Sequence, residues 1–231
     1  MEFVKSHWFL LTMLALATIV SFVWLFVFKR KKTNSKWWEC LIVTVLYCIF
    51  GVIAAIVFSF FESGMNGKFV WGGTSLYGAV FFTPIFCIIY ALIKKMPFKQ
   101  AFDLFAPIIA AYLALARINC LYAGCCYGIL LNAEKGIRWP AREADILFQV
   151  LFIIFISPKV IEGKTKGLAL PLFFVSYGVF RFINEWLRFS ETTRVLHDGH
   201  IWSICAFVIG GTWIAISLIL SKKKGASNDE R

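Results

Sequence analysis

Three charged residues at the end of an otherwise apolar run, Arg181, Glu185 and Arg188, stand at i, i+4 and i+7. On a helix this spacing places them along one stripe, which Tyr177, four residues before Arg181, extends inward. A carboxylate between two guanidinium groups fixes both and leaves net positive charge with N–H donors to spare, which suits a phosphate. Two more charges interrupt neighbouring apolar runs: Arg117 follows 104–116 and Asp145 precedes 146–158. A charged group at hydrocarbon depth costs about 3 kcal/mol unless it faces a cavity or a partner. Three runs interrupted at the same end therefore predict one internal site, rather than separate side chains snorkelling to the headgroups. The commonest phosphate at that depth belongs to a phospholipid, so an anionic glycerophospholipid is the expected ligand.

Other groups near these charges could add chemistry. Cys120, Cys125 and Cys126 follow Arg117, where positive charge lowers a thiol pKa. Cys120 or Cys125 reads as a catalytic thiol or transient acceptor; alternatively the cluster is loop packing, braced by a Cys120–Cys125 disulfide in an oxidising exterior. The C-x4-C-C spacing is not a zinc pattern and only His197 and His200 could complete it, so no metal is expected. Those two histidines offer a base near neutral pH, or else form a solvated helix start capped by Asp198, which is the reading we expect. Trp37, Trp38, Trp71, Trp139, Trp186 and Trp202 fit interfacial belts. Glycines at 64, 67, 72, 73 and 78 permit close approach of backbone to a ligand or to a second helix.

The elements that must position these residues follow from composition. Of 231 residues, 60% are hydrophobic and only 16% charged. A soluble domain carries about 25% charged residues, so a water-facing globule is excluded. The net charge of +11 does not point to nucleic acid, because the basic residues flank apolar runs, as membrane orientation requires. Runs at 8–28, 40–61, 71–93 and 201–221 hold no charge and, at 1.5 Å per residue, match a hydrocarbon core of about 30 Å. The first has its strong basic cluster after it, at 29–32, and reads as a retained anchor rather than a signal peptide. The three interrupted runs are too short unless their helices continue into polar sequence.

The expectation is an all-α polytopic membrane protein with seven transmembrane helices, over about 8–28, 40–61, 76–93, 101–118, 145–161, 167–187 and 201–221. Residues 1–221 form one domain, and 222–231 a cytoplasmic basic tail with a short disordered end. With seven crossings, fifteen of the 24 Lys and Arg fall on one side, which places the amino terminus outside and the carboxyl terminus in the cytoplasm. All three interruptions then lie at the outer leaflet.

The segment 116–128, A-R-I-N-C-L-Y-A-G-C-C-Y-G, resembles the signature G-R-I-G-N-F-I-N-G-E-L-Y-G of bacterial prolipoprotein diacylglyceryl transferases, with Arg117, Ile118, Gly124, Tyr127 and Gly128 in register. In the same order as in that family, 72–78 (G-G-T-S-L-Y-G) is similar to G-G-M-S-F-H-G. Arg138-Trp139-Pro140 with Asp145 is similar to R-x-P-x-Q-L-Y-E, and 177–188 resembles Y-G-x-x-R-F-x-x-E-x-x-R. Three polar signature positions differ: Cys120 and Ala123 replace asparagines and Cys125 a glutamate, while Tyr77 replaces a histidine and Arg142 a glutamine.

The resemblance implies a divergent paralogue in a bacterial cytoplasmic membrane. It would move a diacylglyceryl group from phosphatidylglycerol to the thiol of a lipobox cysteine in a preprotein, releasing glycerol phosphate. It implies a phosphate site of Arg117, Arg181 and Arg188, shaped by Gly72, Gly73, Gly78, Gly124, Tyr127, Gly128 and Tyr177. Tyr77, Cys120, Cys125, Asp145 and Glu185 would stand around the reacting atoms, and a monomer without cofactor is expected. Two other classes stay open: a membrane thiol–disulfide oxidoreductase using the cysteine cluster, and a non-catalytic lipid binder.

Overall fold

The computed structural model describes residues 2–32, 36–65, 67, 69, 73–132, 134–189 and 196–229. Seven helices follow one another: α1 (Glu2–Lys32), α2 (Trp37–Met65), α3 (Leu76–Lys94), α4 (Phe98–Ala123), α5 (Ala141–Ile161), α6 (Ala169–Trp186) and α7 (Asp198–Asp229). Between α4 and α5 a short antiparallel hairpin, β1 (Leu130–Asn132) with β2 (Ile137–Arg138), interrupts the all-helical pattern that the sequence suggests. Six helices are long and apolar enough to cross a membrane; α6, 18 residues with Arg181 and Glu185 inside it, is the exception among the seven.

The interrupted runs do continue into polar sequence. Helix α4 passes through Arg117 to Ala123, α5 begins four residues before Asp145, and α6 ends one residue beyond Glu185. Helix α7 runs on to Asp229, so the basic segment after Ser221 continues the last helix; residues 230–231, where the short disordered end is expected, lie outside the described residues.

Helix α4 lies at the centre, packed against α1, α3, α5 and α6, while α6 also packs along α7. Its inner positions, among them Leu104, Phe105, Ile108, Ile109 and Leu113, are almost wholly buried. Large apolar side chains such as Ile53, Ile93, Phe155 and Ile219 remain exposed, as an element facing lipid requires. Polar side chains pair across the helices: the Tyr47 hydroxyl lies 2.8 Å from Thr83 Oγ1, and Trp24 Nε1 donates to the Leu104 carbonyl at 2.9 Å. At the end of the bundle remote from Arg117, Asp103 on α4 accepts from the backbone N–H of Gly167 at 2.7 Å and of Ala169 at 2.9 Å. That carboxylate anchors the start of α6 by satisfying orphan donors, a structural duty.

Candidate active site

The three charged interruptions meet. Arg117 Nε on α4 lies 2.7 Å from Asp145 Oδ2 on α5, and Arg181 Nη1 on α6 lies 3.4 Å from the same oxygen. Arg181 Nη2 is 2.7 Å from Glu185 Oε2, and Arg188 Nη1 is 3.2 Å from Glu185 Oε1. Arg117, Asp145, Arg181 and Glu185 are all buried, none exceeding 7% exposure. Three guanidinium groups against two carboxylates leave one net positive charge in this network. Arg181 Nε is buried and has no acceptor among the described residues, so one strong donor is left for a ligand anion.

Arg188 corrects the stripe expected from spacing. Helix α6 ends at Trp186, so Arg188 lies beyond it and reaches back to Glu185 from a non-helical position. There it forms an isolated antiparallel bridge with Gly128. The same loop seats Tyr127, whose ring lies 4.4 Å from the Arg138 guanidinium and 5.3 Å from the Phe189 ring. A Cβ on Gly128 would meet the Trp139 carbonyl, which explains why this position has no side chain. Tyr177, one turn before Arg181, is buried between Phe148 and Phe173 and is near Arg117, Arg181 and Asp145.

Tyr77 is placed differently. Its hydroxyl donates to the Gly199 carbonyl at 3.0 Å and lies 2.6 Å from Ser203 Oγ, so it ties α3 to the start of α7 and is not hydrogen-bonded to the arginine network. Gly78 allows α3 to approach α2, since a Cβ there would meet the Ala54 carbonyl; Gly73 approaches Ser59, and Gly72 lies outside the described residues.

The cysteines converge through the end of α4. Cys125 N–H bonds to the Cys120 carbonyl at 3.2 Å and Gly124 N–H to the Leu121 carbonyl at 3.3 Å, with Gly124 left-handed at φ 68°. This is the Schellman ending, which brings the third residue from the helix end and the second beyond it together, here Cys120 and Cys125. Cys126 is also left-handed, at φ 59°, and the three sulfurs lie within 4.8 Å of one another. All three thiols are free, without the disulfide considered from the sequence.

Arg188 Nη2 donates to Cys126 Sγ at 3.1 Å. A hydrogen bond from the Cys120 thiol, with Arg188 and Arg117 nearby, holds the Cys126 thiol well below the ordinary thiol range, whereas burial raises that of Cys125.

Several contributors escaped sequence reasoning. Arg142 Nη1 donates to the carbonyls of Cys120 at 3.4 Å and Cys125 at 3.2 Å, fixing the cysteine loop. Asn184 accepts from Trp139 Nε1 at 3.1 Å and donates to the Ala141 carbonyl at 2.9 Å, so Trp139 braces the start of α5 against α6. Trp202 likewise donates to Glu62 at 2.9 Å. Nothing in the spacing marks these pairs, because their partners are far away in the chain. His200 is another correction: it is buried at 1% exposure against Trp186 and Phe182 instead of being solvated, and the His197 carbonyl accepts the N–H bonds of His200 and Ile201.

The comparisons bear on this geometry. Residues 2–216 match the sequence profile of the family described as prolipoprotein diacylglyceryl transferase. The chain is similar to proteins named phosphatidylglycerol–prolipoprotein diacylglyceryl transferase. With that of Clostridium tetani it shares 27% identity over 62% of this chain and 64% of that protein. With enzyme 2 of Clostridium perfringens it shares 27% over half of each chain, and with that of Pasteurella multocida 27% over 76% of this chain and 73% of that protein. The matches thus span about half to two thirds of the two clostridial relatives. With a match reaching almost from end to end, this chain belongs to the prolipoprotein diacylglyceryl transferase family.

Proposed function

We propose that the chain is a membrane transferase that binds phosphatidylglycerol and moves its diacylglyceryl group to the thiol of a lipobox cysteine in a preprotein. The observation that carries this reading is the Arg117–Asp145–Arg181 junction, three buried charges from three helices with an unpaired Arg181 donor. In the reaction the thiolate sulfur attacks the diacylglyceryl methylene carbon, the carbon–oxygen bond breaks, and its electrons leave with the phosphate as glycerol phosphate. Cations already in place around that phosphate stabilise the departing charge without reorganising. Arg117, Arg181 and Arg188 hold it, while Asp145 and Glu185 orient them. Tyr177, Gly124, Tyr127 and Gly128 form the wall and the loop beside it, and Gly78 sets how closely α3 approaches α2. Cys120 and Cys125 stand where the thiol chemistry occurs, and Tyr77 fixes α7 against the site.

The same reading places all seven helices across a bacterial cytoplasmic membrane as one domain over 1–221, acting as a monomer. The amino terminus lies outside, the carboxyl-terminal segment 222–231 in the cytoplasm, and the site in the outer leaflet. The Lys and Arg asymmetry supports this orientation. The family and the relatives' names support transfer, and nothing in them favours thiol–disulfide exchange. The test is reconstitution with phosphatidylglycerol and a lipobox peptide. The expected result is a peptide mass gain of one diacylglyceryl unit with release of glycerol phosphate; unchanged peptide in the presence of bound lipid would leave only a lipid binder.

A further inference from the structure

Transfer to a thiol requires that the thiol lose its proton, and the groups of the described site that could take it are already engaged; His200 Nδ1 accepts from the His197 backbone N–H at 3.2 Å. Asp145 and Glu185 are engaged in ion pairs, and the Tyr77 hydroxyl is bonded to α7. The chain has instead an unusual concentration of soft ligands beside the arginines: the sulfurs of Cys120, Cys125 and Cys126, within 4.8 Å of one another.

This arrangement is built rather than incidental. The Schellman ending of α4 pairs Cys120 with Cys125, and the left-handed Cys126 turns the chain so that a third sulfur joins them. A non-glycine residue in that conformation is disfavoured and persists where the surroundings hold it. Arg142 clamps the carbonyls of Cys120 and Cys125, and Arg188 donates an N–H to Cys126 Sγ. Donors of this kind, outside the ligand set, orient and tune metal-bound thiolates. Tetrahedral zinc with Zn–S bonds of ~2.3 Å needs sulfurs ~3.8 Å apart, within a side-chain adjustment of the observed cluster. Linear sequence spacing argued against a metal; the folded loop supplies three converging ligands.

We propose that Cys120, Cys125 and Cys126 bind one zinc ion, with the fourth coordination position left for the acceptor cysteine of the preprotein. The inference rests on the transferase reading above, and names how that reaction activates its nucleophile. Three thiolates and Zn²⁺ carry one negative charge, complementary to Arg117, Arg142 and Arg188. The entering thiol releases its proton to solvent and binds as thiolate. Its sulfur then attacks the methylene carbon of the lipid held at Arg117 and Arg181, the carbon–oxygen bond breaks, and glycerol phosphate leaves. The thioether formed is a poor zinc ligand, so the product dissociates and water takes its place. Arg188 touches both Glu185 and Cys126, so it links the phosphate cluster to the metal.

The full chain, purified in detergent under reducing conditions, is stripped with a chelator and titrated with Co²⁺ or Zn²⁺. The expected results are one metal per chain, a thiolate-to-cobalt charge-transfer band, and a shift of that band on adding a lipobox peptide but not its serine analogue. Cys125→Ser and Cys126→Ser should lose the band, with elution and thermal midpoint matching metal-free wild type, whereas Cys48→Ser and Cys205→Ser should keep it. The chelator should abolish transfer, zinc should restore it, and phosphatidylglycerol retention should not change. A wild-type chain that takes up no cobalt, or transfers at full rate in chelator, overturns the metal site and leaves the transferase reading intact. Cobalt bound without a peptide-induced shift overturns the acceptor role. A normal band and shift with no transfer from phosphatidylglycerol would remove the transferase reading while retaining the thiol-binding metal.

Discussion

Arg117 and Arg181, from helices two apart in the chain, approach one oxygen of Asp145, at 2.7 and 3.4 Å, with all three side chains buried. Two guanidinium groups drawn to one carboxylate oxygen form a junction that is stable only while the carboxylate keeps its charge. Breaking a buried ion pair from one side costs about 3–5 kcal/mol, because it strands the remaining charge. Asp145→Asn should therefore lower unfolding stability by about that amount, and phosphatidylglycerol should recover part of the loss by supplying a replacement anion. Thermal unfolding with and without lipid measures both.

Glu185 is confined from outside α6. A Cβ on Gly199, at the start of α7, would lie 2.6 Å from the Glu185 carboxyl carbon. Gly199→Ala should push that carboxylate, and with it Arg181 and Arg188, off their positions without changing any charge. A displacement of about 1 Å at such a group can reduce rate about 100-fold. Transfer by this variant should fall by that order while stability changes by less than about 2 kcal/mol.

Tyr77 tests the difference between a reacting group and a bracing one. Its hydroxyl is bonded to Gly199 and Ser203, so Tyr77→Phe should cost about 1 kcal/mol of stability. Transfer should stay within about tenfold of wild type, as measured by peptide lipidation; a loss of several orders of magnitude would assign the phenol to the chemistry.

The hydrogen bond from Arg188 to Cys126 has a pH signature. A thiol pKa held low chiefly by the hydrogen bond from the Cys120 thiol, and further by that guanidinium, keeps Cys126 ionised as pH falls, whereas burial keeps Cys125 protonated until pH is raised. In metal-free protein, iodoacetamide at about pH 6 should modify Cys126 ahead of Cys125. Arg188→Gln should raise the Cys126 pKa and slow that labelling about tenfold, as read by peptide mapping.

Much of this arrangement was legible before folding was considered. Uninterrupted apolar runs determine where helices lie, since backbone inside a membrane must satisfy its own hydrogen bonds. The charges that break those runs mark the site, since Arg117, Asp145 and Arg181 could be tolerated there only by meeting. What the spacing could not convey depends on turns and on distant partners. The end of α6 at Trp186 takes Arg188 off the helical stripe, and the left-handed Cys126 brings a third sulfur to Cys120 and Cys125. The burial of His200 comes from packing on Trp186 and Phe182, to which no local pattern points.

The central claim is that the buried arginine junction holds the phosphate of a glycerophospholipid. Native mass spectrometry of the chain released from detergent, after exchange with defined phosphatidylglycerol, tests this directly. Losing charge-assisted hydrogen bonds of about 2 kcal/mol should weaken retention about 30-fold, so wild type should carry one lipid and Arg181→Gln almost none at equal lipid concentration. Equal retention by wild type and Arg181→Gln would contradict the account.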